Sequence, residues 1–241
     1  MIHIWHEDNN NSSTTLFWKF IKCYGLIPSN TEIIGYESNY NLLNAIKEKR
    51  FNSNDTYIIL MDNVSDNPDV KTKYSKALKY TRNYNNVHLS KLLCFEYLML
   101  RFNDFTTWTK RLDKENKQLL EVREALIKVI DNGYAWHSET IIKKYVINKF
   151  QIGNTQEFKR KFANISSEKI CFELLADLTS LADRCFIINK TSFGDCWTCN
   201  CCKFYKFKNK CYISRYHKKS EEKARNLWNG TLAKQIIKNY Y

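Results

Sequence analysis

The stretch Thr56-Tyr57-Ile58-Ile59-Leu60-Met61 constrains the fold most. It is a continuous apolar run, not an alternation of apolar and polar residues. Such a run needs apolar cover on both faces, which an inner strand of a parallel sheet receives from helices above and below. The run stops abruptly at Asp62-Asn63, so the strand has a defined carboxyl end.

The surrounding pattern agrees. Residues 1–7 and Thr31–Tyr36 read as strands, and Asn86–Leu89 as a short fourth. Between them lie helical patterns from Leu16 to near Gly25, over Asn41–Arg50 and from about Val70 to Tyr84, with a strongly apolar one over Leu92–Phe102. Strand and helix alternate through the first hundred residues, which predicts an α/β fold with a parallel sheet flanked by helices. The middle of the chain is mostly helical, with Lys117–Ile130 and Glu139–Phe150 amphipathic and Lys169–Ala182 more apolar. The last part carries clustered cysteines and then a basic helix, about Ser220–Lys238. The expected organisation is an α/β catalytic unit at 1–104, a helical region at 105–190, and a cysteine-rich knuckle with the basic helix at 191–241.

The net charge of +13 favours a polyanionic partner, because Lys and Arg that neutralise phosphates release condensed counterions. The competing explanation is drift in a chain rich in Asn, Lys, Ile and Tyr. Only 6 glycines are present, and neither GxxxxGK[ST] nor GxGxxG occurs, which argues against a nucleotide cofactor held in a glycine-rich loop. The start turns acidic and Asn-rich after six residues, unlike a secretory leader. No apolar run approaches the roughly 20 residues of a membrane span. A cytoplasmic protein without membrane contact is expected.

Ligands of open parallel sheets sit beyond the carboxyl ends of the strands. Glu7 and Asp8 follow the first strand; Asp62, then Asp66 and Asp69, follow the third. Glu96 interrupts the apolar helix after the fourth strand. Carboxylates gathered at one edge repel one another unless a cation lies between them. Mg²⁺ (or Mn²⁺) suits such oxygen ligands, and can activate water and stabilise charge at a phosphodiester. The plainer alternatives are helix capping by Glu7 and Asp8, loop-amide binding by Asp62, and a solvent-facing Glu96. No HExxH, HxH or GxSxG spacing offers another catalytic set.

With Glu7 after strand one and Asp62-Asn63-Val64-Ser65-Asp66 after strand three, the first 102 residues resemble the Toprim fold of topoisomerases, primases and OLD-type nucleases. The segment Ser90–Phe102 is similar to a Ser…Cys-Phe-Glu-aromatic stretch of RloB-like Toprim proteins of bacterial anti-phage systems. The resemblance implies Mg²⁺ bound by Glu7 and Asp62, with Asp66 or Glu96 completing a catalytic set. Three departures stand out. Asp8 replaces the usual glycine after the glutamate. Val64 occupies the second position of the Asp-x-Asp. Asp66 lies two residues further on.

Of the 9 cysteines, Cys23, Cys94, Cys171 and Cys185 sit among apolar residues and read as buried thiols. The others fall between Cys196 and Cys211. In a reducing compartment such a cluster reads as metal binding. Cys196 and Cys199 form a C-x₂-C pair, and Cys202 and Cys211 complete a structural Zn²⁺ set, with Cys201 and His217 as alternatives. Free thiols in a buried hairpin are the rival reading. From Asp195 to Tyr241 there are eleven Lys/Arg against three Asp/Glu, interleaved with Phe204, Tyr205, Phe207, Tyr212 and Tyr216. Basic side chains follow phosphates and aromatic faces stack on exposed bases, so RNA is favoured over duplex DNA. The aromatics would equally serve as the core of the knuckle.

The expected function is a metal-dependent nuclease acting on RNA, tRNA included, in anti-phage defence. The alternative is a non-catalytic nucleic-acid-binding or sensor subunit working with a separate ATPase. A homo-oligomer is compatible with either.

Overall fold

The computed structural model describes residues 1–10, 12–103, 114–153, 160, 162, 164–180 and 217–238. The cysteine cluster, with Cys196, Cys199, Cys202 and Cys211, lies outside the described residues, as does Cys185.

Four strands form one sheet: β1 (Ile2–His6), β2 (Glu32–Gly35), β3 (Thr56–Leu60) and β4 (Val87–Leu89). Their order across the sheet is β2-β1-β3-β4, and every pairing is parallel. The register places Ile4 beside Ile33 and Ile58, His6 beside Gly35 and Leu60, and Ile59 beside Leu89. The chain works outward from β1 to β2, then returns past β1 to β3 and β4. The direction of winding therefore reverses between β1 and β3.

The two inner strands explain the apolar run. Ile4, Ile58 and Leu60 face one layer, with α1 (Ser13–Cys23) and α4 (Phe95–Leu100). Trp5, Tyr57, Ile59 and Met61 face the other, with α2 (Asn39–Glu48) and α3 (Pro68–Thr81). Successive strand residues point to opposite faces, so a strand covered twice must be apolar at every position.

Local chemistry starts these helices where they start. Ser12 Oγ accepts from Thr15 N at 3.2 Å and Ser38 Oγ from Asn41 N at 3.1 Å. Asn67 caps α3, with Pro68 in its first turn. Each side chain satisfies an amide left without a partner by the first helical turn.

The helical region comprises α5 (Lys114–Asp131), a 3-10 turn at Trp136–Ser138, α6 (Thr140–Lys149) and α7 (Ser167–Ser180). It packs on the first layer through Leu126, Val129, Ile142, Val146, Leu174 and Leu178.

The expected basic helix is two helices, α8 (His217–Gly230) and α9 (Ala233–Lys238). At the break, a Cβ on Gly230 would lie 2.3 Å from Asn103 Oδ1, and Asn103 N donates to Gly230 O at 3.0 Å. Ala224, Leu227, Trp228, Ala233 and Ile237 belong to the same buried cluster as Ile4 and Phe17. Among the described residues no helix is long and apolar enough to cross a membrane.

Two further expectations are corrected. The helix expected from Leu92 begins only at Phe95, with Cys94 Sγ accepting from Tyr97 N at 3.4 Å. The preceding loop is held otherwise: Leu92 N donates to Ser90 Oγ and Asn63 N to Leu93 O. Cys94 and Cys171 are buried thiols as expected, but Cys23 is only half-buried, at the end of α1.

Candidate active site at the carboxyl end of the sheet

β1 and β3 are neighbours, so their carboxyl ends deliver Glu7 and Asp62 to one place, at the point where the winding reverses. Crevices of this kind take ligands in open α/β sheets. Asp62 meets the Glu7 carboxylate with both its backbone and its side chain, so the two carboxyl groups are neighbours. Asp62 is 9% exposed. The remaining oxygen of Glu7, Oε2, is buried with no hydrogen-bond partner.

Burial dominates the electrostatics. Desolvation is the largest influence on Glu7 and pushes its pKa up to about 7; the bond from Asp62 opposes this, while Asp8 and Glu168 add to it. Asp62 is pushed well above the carboxylate range, first by burial, then by the Glu7 charge.

A cavity of about 20 Å³ adjoins the pair, bounded by Glu7, Asp8, Thr14 and Asp62 and roofed by Trp18, Leu92 and Phe95. That is room for one water-sized occupant. Asp8 is fixed by a hydrogen bond from Thr14 Oγ1. Gly35 lies hard against this turn: a Cβ there would sit 2.3 Å from Asp8 O. His6 Nε2 bonds to Thr15 Oγ1 at 2.8 Å. Burial pushes His6 down to about 4, so it stands neutral beside the acids and does not balance their charge.

Glu168 was not anticipated. It lies in the first turn of α7 and is pushed up by burial, then by Asp66 and Asp8. The expected helix began one residue later, at Lys169. The sequence signal was Ser166-Ser167-Glu168, hydroxyl side chains followed by an acid at a helix start. Ser166 Oγ does accept from Lys169 N.

Asp66 is brought nearby but is engaged elsewhere. Its Oδ2 accepts from Ser167 N at 2.8 Å and Ser167 Oγ at 2.7 Å, capping α7 from 101 residues away. Glu96 is buried, 5% exposed, in the first turn of α4. The strongest charges on Glu7 and Asp62 are each other, Asp8 and Glu168; Glu96 is not one of them.

Among the described residues no three His, Cys, Asp or Glu side chains stand as a ready-made ligand set. The donor chemistry nevertheless suits a hard cation. Mg²⁺ commonly takes one or two carboxylates and keeps its waters, and Glu7 Oε2 is a buried oxygen awaiting a partner. A larger cleft of about 630 Å³ opens next to the pair, bordered by Asn63, Ser90, Leu92, Tyr134 and Ser167. No family model matches this chain, and neither does any curated protein or solved structure.

Proposed function

We propose that the chain is a Toprim-like, metal-dependent nuclease that hydrolyses phosphodiester bonds in RNA, tRNA included. The observation that supports this best is the buried Glu7–Asp62 pair with its unpartnered Glu7 oxygen. Two buried neighbouring carboxyl groups are costly to ionise, and that cost falls when a cation lies between them. Glu7 and Asp62 would hold Mg²⁺ or Mn²⁺, with Asp8 and Glu168 raising the negative potential around them. A bound divalent ion supplies polarisation of the phosphodiester and a more acidic water. The chain's own part is to exclude bulk water with Trp18, Leu92 and Phe95 and to hold both carboxylates in register.

Cys196, Cys199, Cys202 and Cys211 would hold a structural Zn²⁺ that fixes the basic tail. The net charge of +13 supports a nucleic-acid partner. The resemblance to anti-phage Toprim proteins supports a cytoplasmic defence role.

A specific observation favours a second reading. Val64 replaces the second acid of the Asp-x-Asp and is fully buried, and Asp66 is committed to Ser167. A chain so altered would serve as a non-catalytic binding or sensor subunit beside a separate ATPase.

Incubation with total RNA and with plasmid DNA, under Mg²⁺, Mn²⁺ or EDTA, separates the two. The nuclease reading expects metal-dependent RNA cleavage that Glu7→Gln and Asp62→Asn abolish. Folded variants that cleave as well as wild type would overturn it. Salt-sensitive RNA binding without turnover would favour the second reading.

A further inference from the structure

The cleft of about 630 Å³ lies within the span of small-ligand sites, roughly 300–1,000 Å³. It shares Leu92 with the small cavity that Glu7 and Asp62 bound. Asn63, on its wall, directly follows Asp62, and Ser167 directly precedes Glu168.

The lining is chemically specific. Among the described residues that line it, two carry charge, Lys91 and Asp131. Asp131 is already spent: it accepts from the Tyr97 hydroxyl and pairs with Arg101. Lys91 is exposed and supplies the positive charge. Asn63 and Gln235 contribute amides, which both donate and accept. Tyr134 contributes an aromatic face and is 67% exposed.

The exposure of Tyr134 is unusual for its place in the fold. It follows Gly133, which has φ 68° and ends α5. Gly133 N donates to Ile130 O at 3.0 Å and Tyr134 N to Val129 O at 2.9 Å. This pair of bonds is the Schellman helix ending, in which the residue after the glycine commonly packs back on the helix. Here the backbone is fixed in that way, yet the ring stands in solvent at the rim of the cleft. An exposed aromatic face on a fixed backbone, a lysine and two amides are groups that recognise one unpaired nucleotide: base face, phosphate and base edge.

We propose that this cleft seats one unpaired nucleotide of a single-stranded polynucleotide, its base on Tyr134, its phosphate at Lys91 and the adjoining phosphodiester toward Glu7 and Asp62. Only that last placement rests on the nuclease reading; the binding does not. A base must leave its duplex neighbours to stack on a side chain, so the strand is single at this position.

The test uses the full chain in EDTA, where metal-dependent cleavage is silent. Fluorescence anisotropy would follow a labelled oligouridylate of about ten nucleotides, the matching oligothymidylate, and a duplex. Tyr134→Ala should weaken single-strand binding about tenfold, while Tyr134→Phe keeps it. Lys91→Gln should weaken it several-fold and reduce the salt slope by about one. Tyr40→Ala, which removes another exposed ring from α2, should change nothing. Preference for either single strand over the duplex supports the proposal, and the two strands against each other identify the sugar. If Tyr134→Ala binds like wild type, or the duplex binds as tightly as the single strands, the proposal is overturned. A loss of binding at Tyr134 without any Mg²⁺-dependent product sinks the nuclease reading alone.

Discussion

Replacing Glu7 by Gln keeps the shape of the acidic pair and removes one charge. Gln fills the same volume and stays neutral at every pH of the test. The effect on stability should depend on pH in a defined way. In the unfolded chain Glu7 titrates at the ordinary glutamate value of 4.5, and in the folded chain at about 7, chiefly because it is buried. Below about pH 4.5 both states hold the proton, and the group costs nothing. Between these values the unfolded chain ionises while the folded one does not. Stability from this group is therefore lost as pH rises through about 7, and the loss is then constant. At 1.36 kcal/mol per unit, the shift amounts to about 3 kcal/mol. Glu7→Gln should thus match wild type near pH 4 and exceed it by about 3 kcal/mol near pH 8. Urea unfolding followed by tryptophan fluorescence reads this directly, as a difference between the two proteins at each pH. Mg²⁺ adds a second arm. At ten times its Kd, an ion bound to the native pair stabilises wild type by about 1.4 kcal/mol and leaves the variant unmoved. A difference that stays flat with pH would refute the buried pair. Equal stabilisation of both proteins by Mg²⁺ would refute its binding there.

Gly35→Ala places a methyl group against Asp8 O and Asn9, and should cost about 1–3 kcal/mol while weakening Mg²⁺ binding through the displaced turn; a variant with wild-type Tm and Mg²⁺ response would show that the turn yields freely. Asp66→Ala removes the cap on α7 and should cost about 1–2 kcal/mol, read as a lowered Tm with faster amide exchange at the start of that helix. Purified protein should carry one zinc by elemental analysis, and Cys199→Ala or Cys202→Ala should lose it; protein purified without zinc, or zinc retained in both variants, counts against the four-cysteine site.

The sequence exposed those parts of the site that depend on neighbours along the chain. The β3 run had to end where its apolar cover ended, so Asp62 could be placed at a strand terminus, and Glu7 likewise after β1. Their adjacency came from the strand order, which places β1 beside β3. What depended on distant contacts stayed hidden. Glu168 enters the site only because α7 closes on Asp66, a contact spanning 101 residues that no local pattern announces. The same contact changes the meaning of Asp66, from a candidate ligand to a helix cap. The early start expected for α4 failed because Leu92 and Leu93, apolar enough for a helix, give their backbone groups to Ser90 and Asn63. The break at Gly230 reflects close approach to Asn103, again a matter of packing. Tyr134 drew no notice in the sequence, since one tyrosine among 15 says nothing of its exposure.

The tie between Asp66 and Ser167 also sets an order in time. Synthesis runs from the N-terminus, and domains fold as their chain becomes available. Every strand of the sheet, with Glu7 and Asp62, precedes residue 90, whereas Ser167 and Glu168 emerge much later. A growing chain therefore holds the two carboxylates before it holds the helix that clamps their loop and closes the neighbouring cleft. The acidic centre is completed only after the helical region is made, so a truncated or half-made chain carries the parts of the site without its assembled form.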